Sequence, residues 1–197
     1  MLVVFVPSVF AAYAFSRFRF RFKTAIMFGL LILNAFPQIL TMFALFRLFR
    51  LTGLINTTGG LVIVYAGSMT IFSVWNIKGY FDSIPTEIEE AARIDGLSEA
   101  GILFRVILPL ARPAIIVTGV MVLISVWNEY IFSTTFITEP ANYTLAGGLY
   151  ILQAGDYSRN YPLFAAASLL TSLPIVILFF VVQKYMVSGL TAGAVKK

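Results

Sequence analysis

From Pro162 to Val182 the chain runs for twenty-one residues without a charged side chain, and that run fixes the solvent in which it folds. A hydrocarbon layer about 30 Å thick is crossed by a helix of about 20 mostly apolar residues, each rising roughly 1.5 Å. Four further stretches approach that length: Met1 to Ser16, Thr24 to Phe46, Gly60 to Ile77 and Pro113 to Phe136. With 59% hydrophobic and 12% charged residues and a mean hydropathy of +0.91, a water-soluble fold would leave large apolar patches exposed. Lipid satisfies no backbone N–H or C=O group, so a span is either a helix or part of a closed barrel. Barrel strands alternate apolar and polar residues, whereas Ile175-Val176-Ile177-Leu178-Phe179-Phe180-Val181-Val182 does not. The expected fold class is all-α, a polytopic membrane helix bundle with five spans.

The basic residues orient it. Lys and Arg are retained on the cytoplasmic side, while acidic residues contribute little to the rule. One set of connections holds eleven of them: Arg17, Arg19, Arg21, Lys23, Lys78, Arg93, Arg105, Arg112, Lys184, Lys196 and Lys197. The other holds three, Arg47, Arg50 and Arg159. The C-terminus therefore faces the cytoplasm, and the connections Arg47 to Gly59 and Thr138 to Tyr161 face outward. The net charge of +5 follows from this topology and not from nucleic-acid binding. Five spans then leave Met1 outside, although apolar residues follow it at once with no basic flank. A preceding span is accordingly expected to be missing, and the first stretch, about sixteen residues without a polar cap, reads as a truncated helix.

Against this apolar background six of the nine acidic residues, Asp82, Glu87, Glu89, Glu90, Asp95 and Glu99, fall within eighteen positions. Such an island sits in water. Asp82 and Ser83 are N-cap candidates, Pro85 suits a first helical turn, and Glu87, Glu89 and Glu90 complement the positive end of a helix. Gly96 is a good stop. Ser98 can cap a second helix to about Leu108, with Pro109 and Pro113 marking its end. Ala91 and Ala92 leave a low surface on which a partner's groove can approach the backbone, with Glu90 and Asp95 offering acceptors to Arg or Lys. An ordinary solvated loop, or a helix resting on headgroups, is the plainer alternative, although three glutamates disfavour an anionic lipid surface. A DNA-binding helix-turn-helix requires a basic face, and this one is acidic.

Several chemistries are closed to the chain. It contains no Cys and no His, which removes disulfides, thiol chemistry, the usual zinc ligands and a Ser-His-Asp triad. No Gly-Lys pair supplies a phosphate-binding loop. No catalytic residue, cofactor or metal is expected.

The order Glu90-Ala91-Ala92, Asp95-Gly96, Ile107 and Pro109 resembles the EAA signature of the membrane subunits of ABC importers. Trp75-Asn76-Ile77-Lys78-Gly79-Tyr80-Phe81, Tyr143-Thr144-Leu145-Ala146 and Ser188-Gly189-Leu190-Thr191-Ala192-Gly193-Ala194-Val195-Lys196 extend the likeness to the carbohydrate permeases of the maltose type. Leu97 departs from the small residue, mostly Ala, usual in that family. The resemblance covers essentially the whole chain. It implies one ABC transmembrane type-1 (MetI-like) domain over 1–197, with cytoplasmic coupling helices at about 82–110, in a bacterial inner membrane. It further implies a homodimeric cytoplasmic ATPase that hydrolyses the ATP, a second and different permease, and an extracytoplasmic sugar-binding protein. Glu90, Ala91, Ala92, Asp95, Gly96 and Pro109 are then the ATPase-coupling residues. Gly189, Leu190, Thr191, Gly193 and Ala194 are then a tail reaching the ATPase, though by themselves they read as a frayed basic terminus.

Within the spans, Asn34, Pro37 and Gln38 interrupt an apolar helix and either line a path or mark a kink. Glu129, beside Asn128, is the only acidic residue inside an expected span; a charge at mid-membrane costs about 2.5–3.5 kcal/mol on insertion scales. It lies roughly 24 Å from Pro113 along a helix, near the outer interface, as a snorkelling structural group or a pathway residue. Trp127 and Tyr130 fit an interfacial aromatic belt or a sugar-stacking surface. The connection Thr138 to Asn160 reads as a flexible connector, which the resemblance would make the loop entering the binding protein's cleft. The reading that emerges is a carbohydrate-importing permease subunit. Importers of polyols, glycerol phosphate or polyamines, an ion-coupled secondary transporter and a tethering scaffold are the alternatives.

Overall fold

A computed structural model of the chain describes the backbone of residues 1–155 and 157–194, and the side chains of 1–155, 161–183 and 185. The described residues form helices and no strand, as the absence of apolar alternation requires. Leu2–Arg17 (α1) is followed by Lys23–Ala35 (α2), Gln38–Thr52 (α3) and Thr58–Ser83 (α4). An elbow then comprises Thr86–Ile94 (α5), Glu99–Ile102 (α6), a π-turn Leu103–Ile107 and Leu108–Leu110 (α7). Arg112–Trp127 (α8), Ile131–Phe136 (α9), Leu145–Ala154 (α10) and Tyr157–Ala194 (α11) complete the chain.

Among the described residues, Thr58–Ser83 and Tyr161–Gln183 can each cross a membrane by length and composition, and two bent pairs raise the number to four if each is one span. Those pairs are Lys23–Ala35 with Gln38–Thr52, and Glu99–Leu110 with Arg112–Trp127, the second bent by 74°. Leu2–Arg17 is a shorter apolar helix.

Two of the expected spans are not single helices. The stretch Thr24 to Phe46 breaks at Phe36–Pro37, because proline lacks the N–H of the helical ladder and pushes its predecessor toward extended backbone. The stretch Pro113 to Phe136 breaks between Trp127 and Ile131, where Glu129 supplies the acceptors for a new helix. The connection expected to be a flexible loop carries a 3-10 turn, Pro140–Asn142, and then α10, whose cap Thr144 accepts from the Gly147 amide at 3.1 Å.

The chain folds into two compact units. The first draws its described residues from Met1–Asn34, Ser68–Val122 and Val182–Lys197. Its core joins α1 and α4 to the elbow through Ala12, Tyr13, Ile77, Phe81, Ala92 and Ile107. The Tyr13 and Phe81 rings meet edge to face, 6.2 Å between centroids. The second unit comprises Ala35–Gly67 and Leu123–Val181. It packs Phe49, Leu61, Val64, Phe132, Phe136 and Ile137 together. There Gly60 is obligatory, since a Cβ would lie 2.4 Å from the Leu54 carbonyl oxygen.

Candidate functional site

The elbow is built from the first unit outward. Asp82 and Ser83, expected as caps of α5, are instead the last turn of α4. Asp82 accepts from Lys78 Nζ at 2.5 Å, one turn back, and from Ser16 Oγ at 2.6 Å. Pro85 occupies the N-cap of α5 without a side-chain hydrogen bond. The stop is as expected: Gly96 adopts φ +85°, its N–H bonds the Arg93 carbonyl and that of Leu97 the Ala92 carbonyl, both at 3.0 Å. These two bonds satisfy carbonyls that the end of a helix otherwise leaves open. Ser98 accepts from the Gly101 amide at 3.2 Å and starts α6.

The second helix, expected to about Leu108, runs through Pro109 to Leu110 and ends before Pro113. Proline has no N–H to give one turn back, and the turn before it opens so that the Leu108 N–H reaches the carbonyl of Leu103, five residues away. That widened turn points Ile102, Leu103 and Ile107 into the core and leaves Pro109 exposed.

The inner face of α5 carries an ion pair. Glu89 and Arg17 side chains are 2% and 10% exposed, and Arg17 Nε donates to Glu89 Oε1 at 2.5 Å. Arg17 also donates to the Ile84 carbonyl at 3.0 Å. Tyr13 shares its hydroxyl between Glu89 and Glu99, at 3.4 Å each. Arg93 lies 3.9 Å from Glu89 and grips Glu99 through two bonds of 2.7 and 3.1 Å. This two-point pair is the strong geometry for a guanidinium. The hydrogen bond from Arg93 holds the Glu99 carboxyl below its usual range, and the same bond raises Arg93. The end of α1, α5 and α6 are thus bound into one piece.

The outer face is what the elbow offers. Glu90, Ala91, Asp95 and Gly96 are exposed, whereas Ala92 turns inward and packs in the core. Ile94 is 87% exposed at the tip of α5. Sequence reasoning passed over Ile94 and over the inward turn of Glu89. Glu89 stands three residues before Ala92, on the same helix face, and it is the packing of Ala92 in the core that turns both inward.

The remaining candidates are dispersed. Asn34 and Gln38 are exposed on either side of the Pro37 break. Asn128 donates to the Ile124 carbonyl at 2.8 Å and lines a cavity, as do Trp127 and Tyr130. Glu129 is not among that cavity's lining residues. Its carboxylate accepts from the amides of Phe132 and Ser133, at 2.8 and 3.3 Å, and from Tyr65 Oη at 2.6 Å. It starts α9, as a capping carboxylate does. The tail residues Gly189, Leu190, Thr191, Gly193 and Ala194 lie outside the residues whose side chains are described.

Residues 5–191 match the family of binding-protein-dependent transport system inner membrane components. The galactooligosaccharides transport system permease protein GanQ of Bacillus subtilis is 39% identical, over 95% of this chain and 66% of that protein. The maltose/maltodextrin transport system permease protein MalG of Photorhabdus laumondii is 40% identical, over 96% and 65%. The chain therefore spans about two thirds of the length of these relatives. A crystal structure of a bacterial ABC transporter involved in the import of the acidic polysaccharide alginate contains a chain that superposes with a TM-score of 0.73. That chain is 25% identical, with 94% of the present chain and 69% of its own length covered.

Proposed function

The chain belongs to the family of binding-protein-dependent transport system inner membrane components, and from that premise we propose that it is one membrane-spanning subunit of an ABC importer for a carbohydrate. It pairs with a second, different permease, receives substrate from an extracytoplasmic binding protein, and is driven by a homodimeric cytoplasmic ATPase on which all hydrolysis takes place. Its elbow and C-terminus face the cytoplasm.

The observation that carries this reading is the two-faced α5. Outward it presents Glu90, Ala91, Ile94, Asp95 and Gly96, an apolar tip ringed by acceptors that suits a groove with basic walls. Inward it is locked to α1 by Arg17 and Glu89 and to α4 by the shared core. When ATP draws the paired ATPases together, a docked α5 moves with them. A buried ion pair and a packed core do not stretch, so α1 and the lower part of α4 follow as a rigid body. The polyol, phosphate and polyamine alternatives are less well supported, because several relatives carry saccharides in their names.

The test is uptake in cells, together with ATP hydrolysis by the purified assembly stimulated by loaded binding protein. Glu90→Lys, Ile94→Asp and Gly96→Pro abolish both while the chain stays in the membrane at normal level. Undiminished uptake in all three variants refutes the coupling role.

A further inference from the structure

Within the second unit a cavity of about 780 Å³ opens between the end of α8, α10 and α11. That volume lies inside the roughly 300–1,000 Å³ typical of small-molecule sites. The character of its wall restricts what can fill it. None of its lining residues is charged, so an anionic or cationic solute would give up its hydration for nothing. Four aromatic rings line it, Trp127, Tyr130, Tyr150 and Phe164. Two of them are already arranged as a platform, with Tyr130 and Tyr150 stacked at 4.9 Å between centroids and 24° between planes. The Trp127 indole is pinned by its N–H to the Thr171 carbonyl at 3.3 Å.

Between the rings stand polar groups: the amides of Asn128 and Gln153 and the hydroxyl of Ser168. Ser168, Gln153 and the two tyrosine hydroxyls have no hydrogen-bond partner among the described residues. Tyr130, Tyr150 and Gln153 are exposed and Ser168 is half-buried, so these groups are open to a hydroxylated ligand, whereas an acyl chain offers them no hydrogen bond. The complementary ligand is neutral, carries many hydroxyls, and has flat C–H faces to lay on aromatic rings.

We infer that this cavity is a saccharide-binding site belonging to this subunit, with the Tyr130–Tyr150 platform and Trp127 taking the faces of a pyranose and Asn128, Gln153 and Ser168 its hydroxyls. The inference rests on the carbohydrate reading above and adds a place where the cargo is held. It also gives neighbouring residues different roles, since Glu129 caps α9 while Trp127, Asn128 and Tyr130 face the ligand.

Binding is measured on the purified full chain carrying Trp75→Phe, which leaves Trp127 as the one tryptophan. Maltotriose produces a saturable change in Trp127 emission, and neither spermidine nor glycerol 3-phosphate does. Tyr150→Ala and Gln153→Ala each weaken the maltotriose response about tenfold. Gln153 is exposed, so its variant folds even where that of Tyr150 does not. No saturable response from maltotriose, or an equal response in the Gln153→Ala protein, overturns the site. So does cross-linking of a Gln153→Cys variant to the second permease in the resting assembly, because the cavity is then filled by protein. Failure of the coupling reading registers differently, as undiminished uptake in the Glu90, Ile94 and Gly96 variants with maltotriose binding intact.

Discussion

Replacing Arg17 by Met removes the charge and all donors while keeping a long side chain. Glu89 is left 2% exposed, with the Tyr13 hydroxyl at 3.4 Å and Arg93 at 3.9 Å as its remaining neighbours. Breaking a buried pair by removing one partner costs about 3–5 kcal/mol. Arg93 offsets part of that, so the loss falls near the lower bound, about 3 kcal/mol. At 1.36 kcal/mol per decade, opening of α5 becomes roughly a hundredfold more frequent. Amide hydrogen exchange on the purified protein reads this directly: peptides covering residues 86–94 exchange about a hundredfold faster, and peptides from α10 are unchanged. The double variant Arg17→Met, Glu89→Met recovers most of the protection, because an apolar pair of similar volume is nearly neutral in place of a buried ion pair. Uptake falls in the single variant, since a loosened α5 still docks but no longer pulls α1. Acceleration of α5 exchange by less than about fivefold, the scale of an exposed pair worth about 1 kcal/mol, refutes the clamp.

Three further outcomes follow from the same geometry. Gly96→Ala meets no heavy atom within 4 Å of its new Cβ but must hold φ +85°; the backbone alone costs about 1–2 kcal/mol, seen as a lower unfolding midpoint and impaired uptake. Glu129→Gln leaves one acceptor oxygen where two now serve Phe132, Ser133 and Tyr65; the unfolding midpoint drops by the equivalent of about 1–3 kcal/mol, while the surviving protein transports normally. Arg93 depresses Glu99, so the stabilisation from this pair is complete above the ordinary carboxylate pKa of about 4.3 and is lost as pH falls through the lower folded value. Exchange of the 95–98 turn accelerates over that acidic window, and Glu99→Gln abolishes the pH-dependent part.

What the sequence revealed and what it hid follow one physical division. Local backbone chemistry was readable: the Gly96 stop, the Ser98 cap and the apolar helices each depend on residues within a turn of one another. Kinks were only half readable, since Pro37 announced its break whereas the break at Asn128–Tyr130 depends on where the Glu129 carboxylate reaches. Long-range pairing was not readable. Glu89 looked like one of three equivalent glutamates until the core placed Arg17, seventy-two residues earlier in the chain, against it. Ala92 went inward for the same reason, and the exposure of Ile94 is the remainder left by that rotation of α5. The cavity at Trp127 required α10 and α11 to be in place, and no spacing within the chain announces that.

The chain contains no cysteine, so a single cysteine at Ala91, exposed on the outer ridge of α5, reports that ridge alone. The decisive measurement is its reaction with a membrane-impermeant maleimide in intact cells and in inside-out vesicles, with and without the ATPase. Ala91→Cys is unlabelled in intact cells, fully labelled in stripped inside-out vesicles, and protected when the ATPase is added back. Labelling in intact cells, or labelling that the ATPase leaves unchanged, contradicts a cytoplasmic, ATPase-docked α5.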